Sequence, residues 1–599
     1  MTTPTPWWRC IGGTILALAL AATAGAAEKW IRLEADGVTV YSEATQGEAS
    51  ELLVNYLGYR HTFETLFGQA DHPLGPVHVL LYRNQKSLGK IAADNPDPMM
   101  MTTALSAAVD GDVAVALSVT VERQKALRSI FEFDTIMGLQ RTGYFLPLWM
   151  EQGTGVVMST LDLEKDGCVV GSTVDWMAGK LGNEQWLSWE KVSGIRLNTS
   201  AYGTPATFQL FTAQSWALMR TVLQQDPARA RERFLALVEE VRKNHQAEAA
   251  VAKVLQLDRA AVTAAVKRQL RPAPKIVVPF DREAAASHIK VTPAPEEEVD
   301  VAIASLMLVH ENRSGADVLL QRAFNLAPEA PLVLEALARR EMLNRDNNRA
   351  AGYYRAAVAA GTKNPRAYIM SAQGRLNDVM SNGSDQPGQG GSPVVEALGE
   401  VRQALKFNPG DGEAYVLLGR ALYVSETLTA ADLAELTPGF GSRDRGFLVK
   451  YFHALLLLRL DQYPEAVAEL RQLLQDDTVP ADKRQELLHN FAAQNFGLVK
   501  TRVEQQVHAR DFDAARALLD QRLDPTEWTV IAEPVAALRK WAGMGADLDA
   551  LEQLEGNGRP EDLRKARQAF VAKYPDEQVA RRVQAMLEAE PKPAPEPAK

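Results

Sequence analysis

Apolar positions change their period along this chain, and the changes mark its elements. Trp30-Ile31-Arg32-Leu33 and Val38-Thr39-Val40-Tyr41 alternate on either side of Asp36-Gly37, a pattern that predicts a β-hairpin. From Ala49 to Phe67 the spacing turns helical, through Leu52, Leu53, Tyr56, Leu57, Tyr59, Phe63 and Leu66. Pro76 to Tyr82, PVHVLLY, reads as a buried strand with His78 as a core residue. Val109-Asp110-Gly111-Asp112-Val113 predicts a second hairpin turn, a strand follows to Val119, and a helix runs from about Val121 to Gln140. Short strands and helices therefore mix over residues 28–270.

Residues 271–298, RPAPKIVVPFDREAAASHIKVTPAPEEE, are rich in Pro and end in an acidic run. They read as a linker or a strap on the surface. Beyond them a repeat takes over. Ala304, Ala316, Leu320, Ala323 and Pro328 are followed in phase by Ala338, Ala350, Tyr354 and Ala357. Ala397, Val401, Ala404 and Pro409 mark a third unit, interrupted by Ser381 to Pro393, SNGSDQPGQGGSP, which reads as a flexible loop. Tyr415, Leu418, Gly419 and Leu422 open a fourth, Ala454, Ala466 and Leu470 a fifth, and Ala514 with Leu518 a weaker sixth. The small residues and the period of about 34 resemble tetratricopeptide repeats, over residues 299–525. A helical cap is expected over 526–590 and a disordered Pro-rich tail over 591–599. The resemblance implies a solenoid whose groove holds a protein or peptide partner.

The stretch most suggestive of chemistry is Ile130 to Thr160, IFEFDTIMGLQRTGYFLPLWMEQGTGVVMST. An acidic helical segment precedes Pro-x-Trp-Met-x-x-Gly, and in this the chain resembles the peptidase-MA-like family of HExxH metallopeptidases. Position by position, the resemblance puts Phe131 at the first ligand His, Glu132 at the general base and Thr135 at the second ligand His. Trp149 and Gly153 match the second segment, and Gln152 takes the place of the ligand Glu. A second stretch, Phe208 to Leu223, brings Ser215, Trp216 and Leu218 into the family's register, with Thr212 where a Tyr is expected and Arg220 near a position some relatives give to His.

The substitutions decide what the resemblance implies. Zinc needs imidazole nitrogens at i and i+4 on one helical face plus a carboxylate. A phenyl ring has no lone pair to give, a Thr hydroxyl is a weak neutral ligand, and a Gln amide carries no charge. No His or Cys lies between Val79 and Gly167 to replace them. A plugged pocket is expected, with Glu132 either a vestige, an ordinary helical residue beside Arg128, or a partner of Arg220 across the old cleft. No cofactor is implied.

Bulk properties narrow the class further. At 599 residues the chain needs more than one core. A net charge of −10 argues against a nucleic-acid partner. Arg9, the apolar run Ile11 to Ala22 and the small residues Ala24-Gly25-Ala26 read as an export signal over residues 1–27. The expected location is therefore exported, periplasmic or secreted, with no stable membrane span after cleavage. Cleavage would leave Cys168 as the sole thiol, so the mature fold would rest on packing without an internal disulfide.

The fold class expected is an α+β metallopeptidase-like domain followed by an all-α tetratricopeptide-repeat solenoid. The function expected is a non-catalytic interaction scaffold. The alternative is an unconventional peptidase retaining Glu132 as base, with Asp134, Glu151 and Ser215 as further polar candidates.

Overall fold

In a computed structural model, residues 30–68, 74–91, 104–109, 112–119, 123–165, 167–195, 204–243, 246–381, 391–442, 445–476 and 479–589 are described. The segments read as an export signal and a terminal tail lie outside them. The chain forms two compact units. The first spans Met1–Glu426 with Pro438–Gly446, and the second Thr427–Thr437 with Phe447–Lys599.

The first unit is an α+β domain continued by helices. Its six-stranded sheet comprises β1 (Ile31–Ala35), β2 (Val38–Ser42), β3 (Val77–Tyr82), β4 (Ala104–Val109), β5 (Asp112–Ser118) and β9 (Lys290–Pro293), in the order β4-β5-β3-β2-β1-β9. Both expected hairpins form, β1 with β2 and β4 with β5, each antiparallel. Asp36 and Gly37 take φ of 44° and 76°, the left-handed pair that a two-residue turn between twisted strands requires. A smaller sheet orders β6 (Asp162–Glu164), β7 (Gly167–Val170) and β8 (Ile276–Val278).

Both faces of the large sheet are apolar because both are covered. Val38, Val40, Val79, Leu81, Val115 and Leu117 join a core with α1 (Gln46–Leu66), α2 (Arg123–Arg141), α3 (Leu148–Ser159) and α4 (Pro205–Gln224). Thr45 and Glu48 start α1 as a reciprocal capping box. Tyr41, Leu80, Tyr82, Leu105, Ala114 and Ala116 point the other way, where Val299 and Leu306 of α5 (Glu296–Val309) cover them.

Residues 271–298 are thus not a linker. They contribute β8 to the small sheet, pairing Ile276 with Val170, and β9 to the large one, pairing Val291 with Leu33. Both are edge strands, where proline's missing N–H costs no ladder bond, so a Pro-rich composition is compatible with pairing. No domain boundary falls there: the first unit continues to Glu426.

From α5 onward the first unit is a series of helical hairpins: α5 with α6 (Arg313–Leu326), α7 (Pro331–Leu343) with α8 (Asn347–Ala359), then Pro365–Ser381 with Gly391–Phe407, and Gly412–Val424. The interrupting loop is shorter than its composition suggests, since helix continues to Ser381 and resumes at Gly391. Ala304, Ala316, Leu320, Ala323, Ala338, Ala350, Tyr354 and Ala357 are all buried, as the helix crossings need. The turns inside the first two hairpins close in the same way. Glu311 and Arg345 take φ of 63° and 62°. The next amide bonds back, Asn312 N to Met307 O at 2.8 Å and Asp346 N to Glu341 O at 2.9 Å, a Schellman closure. Asn312 and Asp346 then cap the following helix through their side chains.

The second unit repeats this turn at Asp461 and Arg510. Its sixth apolar set lies one residue later than the spacing predicts: Ala515 and Leu519 are buried where Ala514 and Leu518 were expected. Its core is organised by Trp528, which stacks on Phe491 at 5.8 Å and donates to Tyr463 Oη at 3.0 Å. Arg522, beneath the Tyr463 ring, reaches Asp461 at 2.8 Å and Asn495 at 3.1 Å. Trp528→Ala is expected to lower the stability of this unit by about 3–5 kcal/mol, measured by chemical denaturation of the full chain followed by tryptophan fluorescence.

Candidate functional site

The site helices α2 and α3 are set by a turn at Thr142 and Gly143, whose φ is 71°, and by Pro147, which precedes the first turn of α3. Gly153-Thr154-Gly155 lets α3 pass between two neighbours. A Cβ on Gly153 would lie 2.3 Å from the Ser215 carbonyl oxygen of α4, and one on Gly155 would lie 3.0 Å from the Glu132 carbonyl oxygen of α2. The glycine that matches the peptidase segment is therefore required by helix packing alone.

Phe131 is buried and faces α1. Its ring stacks on Tyr59 at 4.5 Å with an interplanar angle of 2°, and meets the edge of Tyr56 at 5.6 Å. Thr135 is held on the same side, donating to the Phe131 carbonyl at 2.6 Å and lying 3.0 Å from Tyr59 Oη. Asp134 accepts from Tyr56 Oη at 2.8 Å, and burial raises its pKa against the opposing pull of Arg60. The Phe131 ring is thus part of the core.

Gln152 does not join Phe131 and Thr135. Its Nε2 donates instead to Glu132 Oε1 at 2.7 Å, on the side of α2 that meets α3. Adjacent helical residues point about 100° apart, so one face of α2 carries Phe131 and Thr135 and another, at Glu132, the contact to Gln152. The three positions are not drawn to one point.

Glu132, on the neighbouring face of α2, is perturbed as well. Burial pushes its carboxyl up to about 7 from 4.5, and the Gln152 hydrogen bond only partly offsets this. A carboxyl raised in the fold is destabilising once the unfolded chain has ionised. The penalty is absent below pH 4.5, grows as the pH rises to about 7 and is constant above. It amounts to about 3 kcal/mol. Glu132→Gln is expected to be more stable than the parent by that amount at pH 8 and equal to it at pH 4, in urea unfolding at the two pH values.

Arg220 does not reach Glu132. It donates to the carbonyls of Gly171 at 3.2 Å, Gln269 and Arg271 at 3.3 Å, and to Thr173 Oγ1 at 2.9 Å, and lies over the Trp216 ring at 5.3 Å. It bolts the loop after β7 to the segment leading into β8, and burial brings its pKa down to about 10. Trp149, Ser215 and Trp216 are buried, and the Ser215 hydroxyl and both indole N–H groups have no hydrogen-bond partner among the described residues. With no hydrogen-bonded base among the described residues, Ser215 lacks there what activates a nucleophile.

Among the described residues no group of three or more His, Cys, Asp or Glu is placed to hold a metal ion. Among them no helix is long and apolar enough to cross a membrane. Tyr56 and Tyr59, which pack on Phe131, read from the sequence only as apolar positions of a helix; their i, i+3 spacing in α1 is the signal that they share a face. In comparisons with known proteins, no family model matches the chain and no curated protein matches it.

Proposed function

We propose that this protein is an exported, non-catalytic interaction scaffold, in which a metallopeptidase-like α+β domain without zinc ligands is joined to tetratricopeptide-like hairpins that hold a protein or peptide partner. The observation that carries the reading is the face-to-face packing of Phe131 on Tyr59 at 4.5 Å, with Thr135 bonded to the same tyrosine. Two positions that would have to offer donors to a metal are spent on the core. The recurrent Schellman turns at Glu311 and Arg345, with buried small residues in phase on both sides, support the repeat half of the proposal.

The pKa of Glu132, about 7, favours a second reading, a hydrolase that uses it as general base. That reading needs a nucleophile or an activated water within reach, and Gln152 occupies the carboxylate. Casein and a peptide library incubated with the full chain separate the two. The scaffold reading expects no cleavage above that of a Glu132→Gln preparation. Cleavage abolished by Glu132→Gln would establish the hydrolase.

A further inference from the structure

The helical hairpins of the first unit meet its α+β domain at both ends of their run. At the near end Val299 and Leu306 of α5 are core for the large sheet. The turn between α5 and α6 is tied down as well, since Asn312 donates to the carbonyls of Lys90 at 3.1 Å and Ile91 at 3.3 Å. Next along the run, Leu332, Ala336 and Arg339 of α7 and Asn364 after α8 come over the sheet, enclosing a small cavity whose other wall is Tyr41, His78 and Ala114.

The far end returns to the turn that joins α2 to α3. Gly410, just before the helix Gly412–Val424, sits so close to the end of α2 that a Cβ there would overlap the Gln140 carbonyl oxygen. Phe145, in the α2–α3 turn, meets the edge of the Tyr415 ring at 6.4 Å and lies against Gly441. Its φ is 52°. A bulky residue in the left-handed region is strained and persists only where its surroundings hold it. Tyr415 and Gly441 are part of those surroundings, so the far contact carries strain that the apolar α5 contact does not.

We propose that the contact of Gly410 and Tyr415 with the α2–α3 turn is a latch. It holds the hairpins shut over the sheet, and its release lets them swing about α5 and bares the face carried by α7 and Asn364, with hairpins and domain both still folded. Structures open first where little apolar surface is buried and last through a packed core, which makes the glycine contact the moving end and α5 the hinge. The proposal deepens the scaffold reading and takes its functional meaning from it. Stacked hairpins take partners on a concave face, and here the protein's own sheet lies against the face of α7, so partner binding there is autoinhibited while the latch is closed.

Maleimide labelling of the full chain tests it, with Ala114→Cys as the reporter in a background of Cys10→Ser and Cys168→Ser. Ala114 is buried on the sheet beneath α7. Two substitutions release the latch: Gly410→Val, whose side chain would meet the backbone of α2, and the milder Phe145→Gly, which removes the ring and suits the left-handed backbone. Labelling at residue 114 is expected to be at least tenfold faster in both, with a cooperative melt retained. Gly143→Cys with Pro409→Cys locks the latch, because a Cβ on Gly143 would lie 3.9 Å from Pro409 Cβ, within the reach of a disulfide. The oxidised form is expected to label more slowly than the reporter chain alone. Unchanged labelling in a folded Phe145→Gly, or labelling indifferent to the disulfide, would overturn the latch. Either result leaves the scaffold reading where the cleavage and zinc measurements put it, so the two can fail separately.

Discussion

Ending the chain at residue 270 is expected to leave the α+β domain unable to fold, although composition alone would place a domain boundary there. The truncation removes β9 from the edge of the large sheet, β8 from the small one and α5 from the sheet's second face. Tyr41, Leu80, Tyr82 and Leu105 then lose Val299 and Leu306 as cover. Each side chain of this size is worth about 1.5–3 kcal/mol when buried, and a whole domain is stable by only about 5–15 kcal/mol. Residues 28–270 should be insoluble, or soluble without a cooperative melt and with strong binding of a hydrophobic dye. Residues 28–446 should melt cooperatively. A sharp transition in the shorter fragment would show that α5 and the two strands are accessories.

The largest effect expected from a single methyl group is at Gly153. In Gly153→Ala the new Cβ would stand 2.3 Å from the Ser215 carbonyl and 2.7 Å from Met219 Cγ. A backbone oxygen cannot swing aside as a side chain can, so α3 and α4 must separate along a contact containing Trp149 and Trp216. Overpacking of this kind costs about 1–3 kcal/mol, occasionally more, and the upper end is expected here. Gly352→Ala is the matched control: it is exposed on α8 with nothing within 4 Å of its Cβ, and it should gain about 0.5–1 kcal/mol from helix propensity. Urea midpoints of the two variants should therefore move in opposite directions.

Much of this architecture can be read from the order of residues. Alternation around Asp36-Gly37 predicts the first hairpin, and small residues in phase from Ala304 to Ala357 predict helix crossings that are indeed buried. Residues 271–298 mislead because a strand of three or four residues leaves too little alternation to stand out among prolines. The hairpin turns are hidden for another reason. Their left-handed residues are Glu311, Arg345, Asp461 and Arg510, none of them the Gly or Asn that usually announces such a turn, so only the packing on either side fixes them. At the site, spacing correctly puts Phe131 and Thr135 on one face of α2. Periodicity cannot say which helix that face meets, so neither the Tyr59 stack nor the meeting of Gln152 with Glu132 could be foreseen. Arg220 shows the same limit: its charge suggests a carboxylate partner, whereas its donors go mostly to carbonyl groups of two segments distant in sequence.

We propose that the helix pair α2 and α3 keeps the frame of a metallopeptidase while the positions matching its metal ligands have become core. The most direct test of this is the zinc content of the full chain after purification under zinc-replete conditions and removal of loosely bound metal. The account predicts well under one zinc per chain, with the same value in Glu132→Gln and Gln152→Ala. One tightly held zinc per chain that disappears in either variant would contradict it.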